Sequence, residues 1–226
     1  MKLSIIIPVY NEAKTVGIII KKVKSLKMSI SKEIIVVDDG SKDNSWNKIS
    51  KMGGIKKFRH IKNMGKGAAV RTAIGKSSGD IIIIQDADLE LDPIQIPEIV
   101  SPLIKGKSQV VYGSRNAYNK DKGRSLLFYL GGHLITFATN LLFGTRLTDE
   151  PCGYKAFKKE IIRSIRIDNN RFEWEPEVTA KIARKGIRID EVPVKVQSRS
   201  IKEGKKLRRR DGVKAILTLI KYRFMK

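Results

Sequence analysis

Ile81-Ile82-Ile83-Ile84-Gln85-Asp86-Ala87-Asp88-Leu89-Glu90, opened by Gly79-Asp80, is the stretch around which the rest of the chain is ordered. Four consecutive isoleucines are β-branched and too few for a helix, so the run predicts a buried parallel strand. If the chain stays extended beyond it, Asp86, Asp88 and Glu90 point to one side, because alternate side chains share a face. Three carboxylates converging at a strand end repel one another unless something positive lies between them. A hard divalent cation with oxygen ligands answers that need. An acidic turn whose carboxylates face water has the same spacing, and spacing leaves both readings open.

Outward from this run, strand and helix patterns alternate. Residues 3–9 (Leu-Ser-Ile-Ile-Ile-Pro-Val) predict a buried strand ended by Pro8. A helix is expected over 11–26 with Asn11 as its cap, then a strand over 33–38 that stops at Asp39-Gly40-Ser41. A helix near Asp43, a short strand over 55–60, and a helix over 68–76 after Gly65-Lys66-Gly67 follow. Pro93 and Pro97 bracket another helix start, and 109–113 is a further strand. The alternation predicts a mostly parallel α/β sheet with right-handed crossovers. Ligands of such sheets sit at the carboxyl ends of the strands. The polar clusters at 8–12, 38–40, 86–90 and 113–115 all fall at strand ends, so four segments scattered in sequence are expected on one rim.

Later strands are expected over 154–157 and 187–196, with a helix over 176–184 between them. Residues 126–143 carry no formal charge over eighteen positions. Gly131, Gly132, His133, Thr136, Thr139 and Asn140 dilute the stretch, which reads as one or two helices that dock on the sheet or dip into a membrane interface. The tail over 211–224 places Val213, Ile216, Leu217, Ile220 and Phe224 at helical spacing with basic residues between, as in helices that lie on anionic membranes. It could equally pack on the domain with its lysines in water. Two units are expected: residues 1–210, including the amphipathic segment 124–143, and the basic helix 211–226.

The chain has 226 residues and a net charge of +23 from 46 basic and 23 acidic side chains. That excess points to a polyanionic neighbour: nucleic acid, an anionic membrane face or phosphorylated substrates. It is concentrated late, with eleven Lys or Arg against two acids over 199–226. A single cysteine, Cys152, rules out an internal disulfide and a cysteine-rich zinc site. His60 and His133 are too few for a histidine cluster. The start, Met1-Lys2-Leu3-Ser4-Ile5, opens a strand at once without a signal-peptide cleavage pattern, and a reducing cytosolic setting is expected. No Gly-x-Gly-x-x-Gly follows the first strand. Gly106-Lys107-Ser108 has Ser101 where a P-loop needs glycine, so both nucleotide motifs fail. Sugar-phosphate nucleotidyltransferases would carry a Gly-rich, Arg-containing loop where this chain has Pro8-Val9-Tyr10-Asn11-Glu12.

An ordered set of short motifs remains. Ile-Pro-Val-Tyr-Asn-Glu (7–12), Val-Val-Asp-Asp-Gly-Ser-Lys-Asp (36–43), Asn-Met-Gly-Lys-Gly-Ala-Ala (63–69) and Asp-Ala-Asp (86–88) resemble the family-2 glycosyltransferases. Gly-Ser-Arg (113–115), Thr-Asp-Glu-Pro-Cys-Gly-Tyr-Lys (148–155), Glu-Val-Pro-Val (191–194) and Arg199 followed by Gly204-Lys205-Lys206-Leu207 narrow the resemblance to dolichyl- or polyprenyl-phosphate sugar synthases. The resemblance implies a glycosyltransferase A-type fold. It also implies a metal-dependent, inverting transfer of a hexose, mannose or glucose, to dolichyl or polyprenyl phosphate. GDP-mannose, UDP-glucose and UDP-N-acetylglucosamine are the donors it suggests.

Residue by residue, the resemblance places Pro8, Tyr10, Glu12, Val37, Asp39 and Lys66 at the nucleotide, Tyr10 by stacking. Asp86 and Asp88 become the catalytic pair and the ligands of Mg2+ or Mn2+, with Glu90 as a third metal residue. Glu90 stands where mannosyl-transferring relatives often carry Gln, which leaves the donor open. Arg115 and Arg124 are expected at the acceptor phosphate, with Arg124 one residue from the matching position, and Arg199 and Lys206 at the donor diphosphate. Gly204 would lend that late loop mobility. Asp149 or Glu175 could assist as a base. Because a long isoprenoid stays in the bilayer, peripheral attachment at the cytoplasmic face of the membrane is expected, through an anionic surface and without nucleic acid. Transfer to a growing glycan or lipid-linked oligosaccharide is a second reading. A basic nucleic-acid-binding protein is a third, although the aromatics interleave with the basic residues only near Tyr222 and Phe224.

Overall fold

The isoleucine run forms β4 (Ile81–Ile84), buried at all four positions in a computed structural model that describes residues 1–116, 126–199, 206 and 208–225. It lies parallel to β1 (Lys2–Val9), which pairs in parallel with β2 (Ser31–Asp38), and β2 with β3 (Lys56–Arg59). Alternation along these strands divides the apolar residues between two cores. Leu3, Ile5, Ile34, Val36, Ile81 and Ile83 face one side, under α1 (Val16–Ser25), α2 (Ser45–Ser50) and α4 (Ile96–Ile104). Ile6, Ile35, Val37, Ile82 and Ile84 face the other, under α3 (Lys66–Lys76), α6 (Lys159–Arg163) and α7 (Trp174–Arg184).

The seven strands run in the order β3-β2-β1-β4-β6-β5-β7. β5 (Val110–Ser114) and β7 (Ile189–Pro193) are parallel, whereas β6 (Lys155–Lys158) is antiparallel to both β4 and β5. Residues 154–157 were expected as a strand; its direction follows from the route. After β5 the chain passes through α5 (Leu126–Phe143) and returns at the rim where β4 ends, so β6 runs back down the sheet. That return delivers residues 148–153 to the acidic rim.

Several helix starts differ from the sequence reading, those of α7 and of the tail helix each by two residues. α1 begins at Val16 because Asn11 takes a left-handed φ of 49°, accepts Lys42 N–H on its side chain and donates its own N–H to Ser41 Oγ. α3 begins at Lys66, after Gly65 at φ 105°. α5 is a single helix. The tail forms α8 (Arg209–Phe224), which buries Ala215, Leu219 and Tyr222 against Ile135 of α5 and Ala180 of α7. No helix among the described residues is long and apolar enough to cross a membrane.

At the opposite edge of the sheet, Glu33 ties β2 to the entry of β4. It accepts from Ser4 Oγ (2.5 Å) and Ser78 N (2.6 Å) and pairs with Lys56 (2.8 Å) and Lys2 (3.2 Å). Burial alone would raise its pKa, but Lys56, Ser4 and the Ser78 N–H hold the carboxyl far below the usual range. Glu33→Gln is expected to cost about 1–3 kcal/mol at neutral pH. Because the folded pKa is depressed, this stabilisation is complete above the unfolded carboxylate value of about 4.3 and is lost as pH falls below it. Urea midpoints of wild type and variant should therefore differ at pH 7 and converge toward pH 3.

Candidate functional site at the acidic rim

The strand ends at Ile84, and the chain then turns instead of staying extended, with Leu89 at φ 68°. Gln85 pins the turn: its amide donates to the Leu91 carbonyl (3.0 Å) and its oxygen accepts from Tyr154 OH (2.7 Å). The turn breaks the alternation that would have aligned Asp86, Asp88 and Glu90. Among the described residues no group of three or more His, Cys, Asp or Glu is arranged to hold a metal. The expected three-ligand set is instead interleaved with the chain's own cations.

Asp86 Oδ1 lies 2.8 Å from Lys66 Nζ, which also reaches Glu175 Oε1 at 2.9 Å. Burial works against the Lys66 charge, but Asp86 and Glu175 raise its pKa and keep it protonated. The other side of Asp86 rests on Gly153, where an added Cβ would lie 2.5 Å from Oδ2. Asp88 Oδ2 lies 3.1 Å from Arg199 Nη2. Burial, then the charges of Asp86 and Glu90, push the Asp88 carboxyl up to about 6 against the pull of Arg199. Glu90 Oε1 accepts the Arg199 backbone N–H at 3.0 Å.

Glu12, at the end of β1, receives the Arg199 fork on both oxygens (3.2 and 3.1 Å) and Lys206 Nζ at 2.5 Å. Burial would raise its pKa, but Arg199 and Lys206 lower it. Lys206 also donates to the Tyr10 carbonyl and sits 5.9 Å from the Tyr10 ring centroid. The two basic residues expected at the donor diphosphate thus meet Glu12 and Tyr10, expected at the nucleoside, across nearly two hundred residues of sequence. Pro8 and Tyr10 are half-buried at the same mouth.

Other expected residues have different immediate tasks. Val37 packs in the second core, with its side chain wholly buried in the sheet. The Asp39 carboxylate is buried and ringed by donors: Gly65 N (2.7 Å), Met64 N (2.9 Å), Asn63 Nδ2 (2.8 Å), with His60 Nδ1 at 2.7 Å. It shapes the loop that starts α3 and aims Lys66, because clustered N–H groups there need a charged acceptor. The Arg115 fork closes on Asp149 at 2.6 Å for both Nε and Nη2, and Glu191 in turn accepts the Asp149 N–H. Arg124, Gly204, Lys205 and Leu207 lie outside the described residues.

Sequence reasoning did not find Glu175 as a partner of Lys66, nor Gly153 as the floor under Asp86. Glu175 sits in the first turn of α7 and Gly153 before β6. Nothing in their local pattern signals a neighbour 65 or more residues away. The glycines of 65–67 do carry a signal: a Cβ at Gly65 would meet the Asn170 carbonyl at 2.3 Å and one at Gly67 the Asn169 carbonyl at 2.4 Å. Close backbone approach demands glycine there.

Removing the Asp39 acceptor would strand several N–H donors in a buried loop. Asp39→Ala is expected to lower stability by about 3 kcal/mol, with Asp39→Asn in between, as read from urea unfolding at pH 7.

Comparison with known proteins agrees with this arrangement. Residues 4–166 match the family described as Glycosyl transferase family 2. An uncharacterized protein of Methanocaldococcus jannaschii is 33% identical over 197 residues, covering 84% of this chain and 79% of that one. Dolichol-phosphate mannosyltransferase of Pyrococcus furiosus is 30% identical over 201 residues, 85% of this chain but only 56% of the relative. UDP-N-acetylglucosamine–dolichyl-phosphate N-acetylglucosaminyltransferase of Methanococcus voltae is 29% identical over 213 residues, 84% of each. The fold is shared with glucosyl-3-phosphoglycerate synthase of Mycobacterium tuberculosis, solved with UDP, at a TM-score of 0.79 and 22% identity, over all of this chain and 81% of that one. The same synthase has been solved with Mn2+ and with Mg2+. The sheet order, the acidic rim and these matches together make the chain a glycosyltransferase of family 2, with the glycosyltransferase A-type fold.

Proposed function

We propose that this glycosyltransferase moves a hexose, mannose or glucose, from a nucleotide sugar to a dolichyl or polyprenyl phosphate. The observation that carries the reading is the rim itself: Glu12, Asp86 and Asp88 interleaved with Lys66, Arg199 and Lys206. Cations that hold carboxylates at about 3 Å can exchange them for diphosphate oxygens, and the carboxylates so released are oxygen ligands. The relatives named for dolichyl-phosphate transfer support the acceptor class.

The donor set fits a divalent ion. Asp86 and Asp88 are oxygen ligands, and burial first, then the neighbouring Asp86 and Glu90 charges, raise the Asp88 pKa against the pull of Arg199. Mg2+ or Mn2+ held by these two residues would stabilise charge developing on the departing diphosphate. The chain's own part is to bind and orient. Tyr10 and Pro8 offer a face for the nucleobase, and Arg199 and Lys206 take the diphosphate. A lipid phosphate is already an oxyanion at neutral pH, so it needs positioning more than a strong base. One phosphate oxygen forms the bond to the anomeric carbon while the bond to the nucleoside diphosphate breaks, with inversion. For Arg115 to bind the acceptor phosphate, its fork must be shared with or released from Asp149.

Residues 1–210 serve as the catalytic unit in this reading, and α8 as its membrane-facing helix. α5 exposes Leu130, Leu134, Phe137 and Leu141; α8 exposes Val213, Leu217, Ile220 and Phe224, at the same i, i+4, i+7, i+11 spacing. Phe137 is 64% and Phe224 76% exposed. Arg210, Lys214, Lys221 and Arg223 sit exposed on α8 beside its stripe. Packed helices with bare apolar rows and basic flanks suit an anionic bilayer surface, consistent with peripheral attachment at the cytoplasmic face.

Enzyme incubated with Mn2+, dolichyl phosphate and labelled GDP-mannose, UDP-glucose or UDP-N-acetylglucosamine should yield label extractable into organic solvent from one of the three; none from any would reject the reading. Asp88→Ala should abolish that transfer, by a hundredfold or more, about 3 kcal/mol of lost stabilisation, with unfolding temperature nearly unchanged. In vesicle flotation, wild type should bind membranes rich in phosphatidylglycerol and not pure phosphatidylcholine. Leu134→Glu with Leu217→Glu should weaken that binding by at least about tenfold, since each leucine removed from the bilayer forfeits roughly 1.5–3 kcal/mol.

A further inference from the structure

The acidic turn does more than present carboxylates. Four stations along residues 195–199 are fastened to residues 90–95, the end of the turn and the short 3-10 helix Pro93–Gln95 after it. The Gln95 side chain pairs with both backbone groups of Lys195, donating from Nε2 to the carbonyl (2.9 Å) and accepting the N–H on Oε1 (2.6 Å). Leu91 and Val196 form an isolated antiparallel bridge. Gln197 N donates to the Glu90 carbonyl (2.9 Å), and Arg199 N donates to Glu90 Oε1 (3.0 Å). The base of this strap is itself braced, by Gln85 on the Leu91 carbonyl, by Asp92 capping Ile94 N–H (3.1 Å), and by Lys22 on Asp92 (2.6 Å).

We propose that Gln95 and Glu90 are positioning residues that clamp the backbone of 195–199 onto the acidic turn and thereby hold the Arg199 guanidinium over Asp88 and Glu12. The use of that guanidinium for a donor diphosphate rests on the proposed function; the clamp itself does not. Gln95 makes the pairing of a strand neighbour with a side chain alone, which needs one donor and one acceptor on the same planar group. Glu90 contributes one carbonyl and one side-chain acceptor. Neither contact uses the guanidinium. With its main chain fixed, Arg199 can release Glu12 and Asp88 to a phosphate without leaving the rim. Its Nε is buried 3.9 Å from Glu90 Oε1 and makes no hydrogen bond among the described residues.

The latch requires of residue 90 an acceptor and not a charge. Glutamine supplies the same Oε1, so the clamp survives Glu90→Gln and fails in Glu90→Ala. This separates the clamp from a metal or donor-discriminating role for Glu90, in which the carboxylate charge is essential.

Amide hydrogen exchange of the whole protein, without metal or nucleotide, reads the clamp directly. Gln95→Ala and Glu90→Ala are each expected to speed exchange over 195–199 by tenfold or more while β1, β2 and β4 stay protected, and Glu90→Gln is expected to match wild type. Calorimetric binding of UDP and GDP with Mn2+ then reads positioning: both alanine variants should weaken the nucleoside diphosphate that wild type prefers by about tenfold, and Glu90→Gln by less than threefold. In transfer assays Gln95→Ala should raise the donor KM more than it lowers kcat. Unchanged exchange in both alanine variants overturns the clamp. Faster exchange with unchanged diphosphate affinity overturns positioning, and loss of protection in Glu90→Gln overturns the acceptor argument. Wild type that binds neither nucleotide would reject the proposed function and the positioning role, while the exchange experiment would still decide the clamp.

Discussion

Crowded carboxylates at the carboxyl ends of β1 and β4 would drive the rim apart, and this structure answers the repulsion with cations drawn from distant parts of the chain. Lys66 enters from the start of α3, Arg199 from the segment after β7 and Lys206 from just before α8. Each pair is half-buried, where a charge without a partner is costly, so the cations are held in place by the acids as much as the reverse. The Asp88 carboxyl, pushed up to about 6 by burial and then by the Asp86 and Glu90 charges, is the acid of the rim that Arg199 relieves least completely.

The rest of the fold serves that neutralisation. Asp39 gathers the N–H groups of Met64 and Gly65 so that α3 starts with Lys66 facing Asp86. Glycine at 65 and 67 lets α3 close on the carbonyls of Asn170 and Asn169, just ahead of α7, whose Glu175 holds Lys66 from behind. The antiparallel return through β6 puts Gly153 under Asp86 and Asp149 on Arg115. A parallel strand at that place would have delivered its carboxyl end to the rim and carried Gly153 to the opposite edge.

The two apolar helices divide their surfaces between protein and surroundings. Ile135, Ala215, Leu219 and Tyr222 close a small third core with α7, and the opposite rows stay bare. The tail was open to two readings, packing on the domain or lying on a membrane. It packs on the domain through one stripe, and a second apolar stripe of α8 stays exposed. The stripe read from spacing splits: Val213, Leu217, Ile220 and Phe224 are exposed, whereas Ile216 packs against the third core with Ala215, Leu219 and Tyr222.

Period and composition alone determined that residues 3–9, 33–38 and 81–84 are buried strands, that helices separate them, and that polar clusters gather at one rim. β-branched runs and strand–helix alternation are local properties, and the crossover rule does the rest. The motif order carried the family and the acidic pair Asp86 and Asp88. Tertiary structure alone decided what each charged residue touches. The turn at Leu89 broke the alternation of an extended strand and set Asp86 on Lys66 and both Asp88 and Glu90 on Arg199. The direction of β6 placed Gly153. The strap through Gln95 and Glu90 brought Arg199 to Asp88 and Glu12, more than a hundred residues away. Charge pairing depends on distances of about 3 Å between groups remote in sequence, and such distances exist only once the sheet has set which chain segments meet.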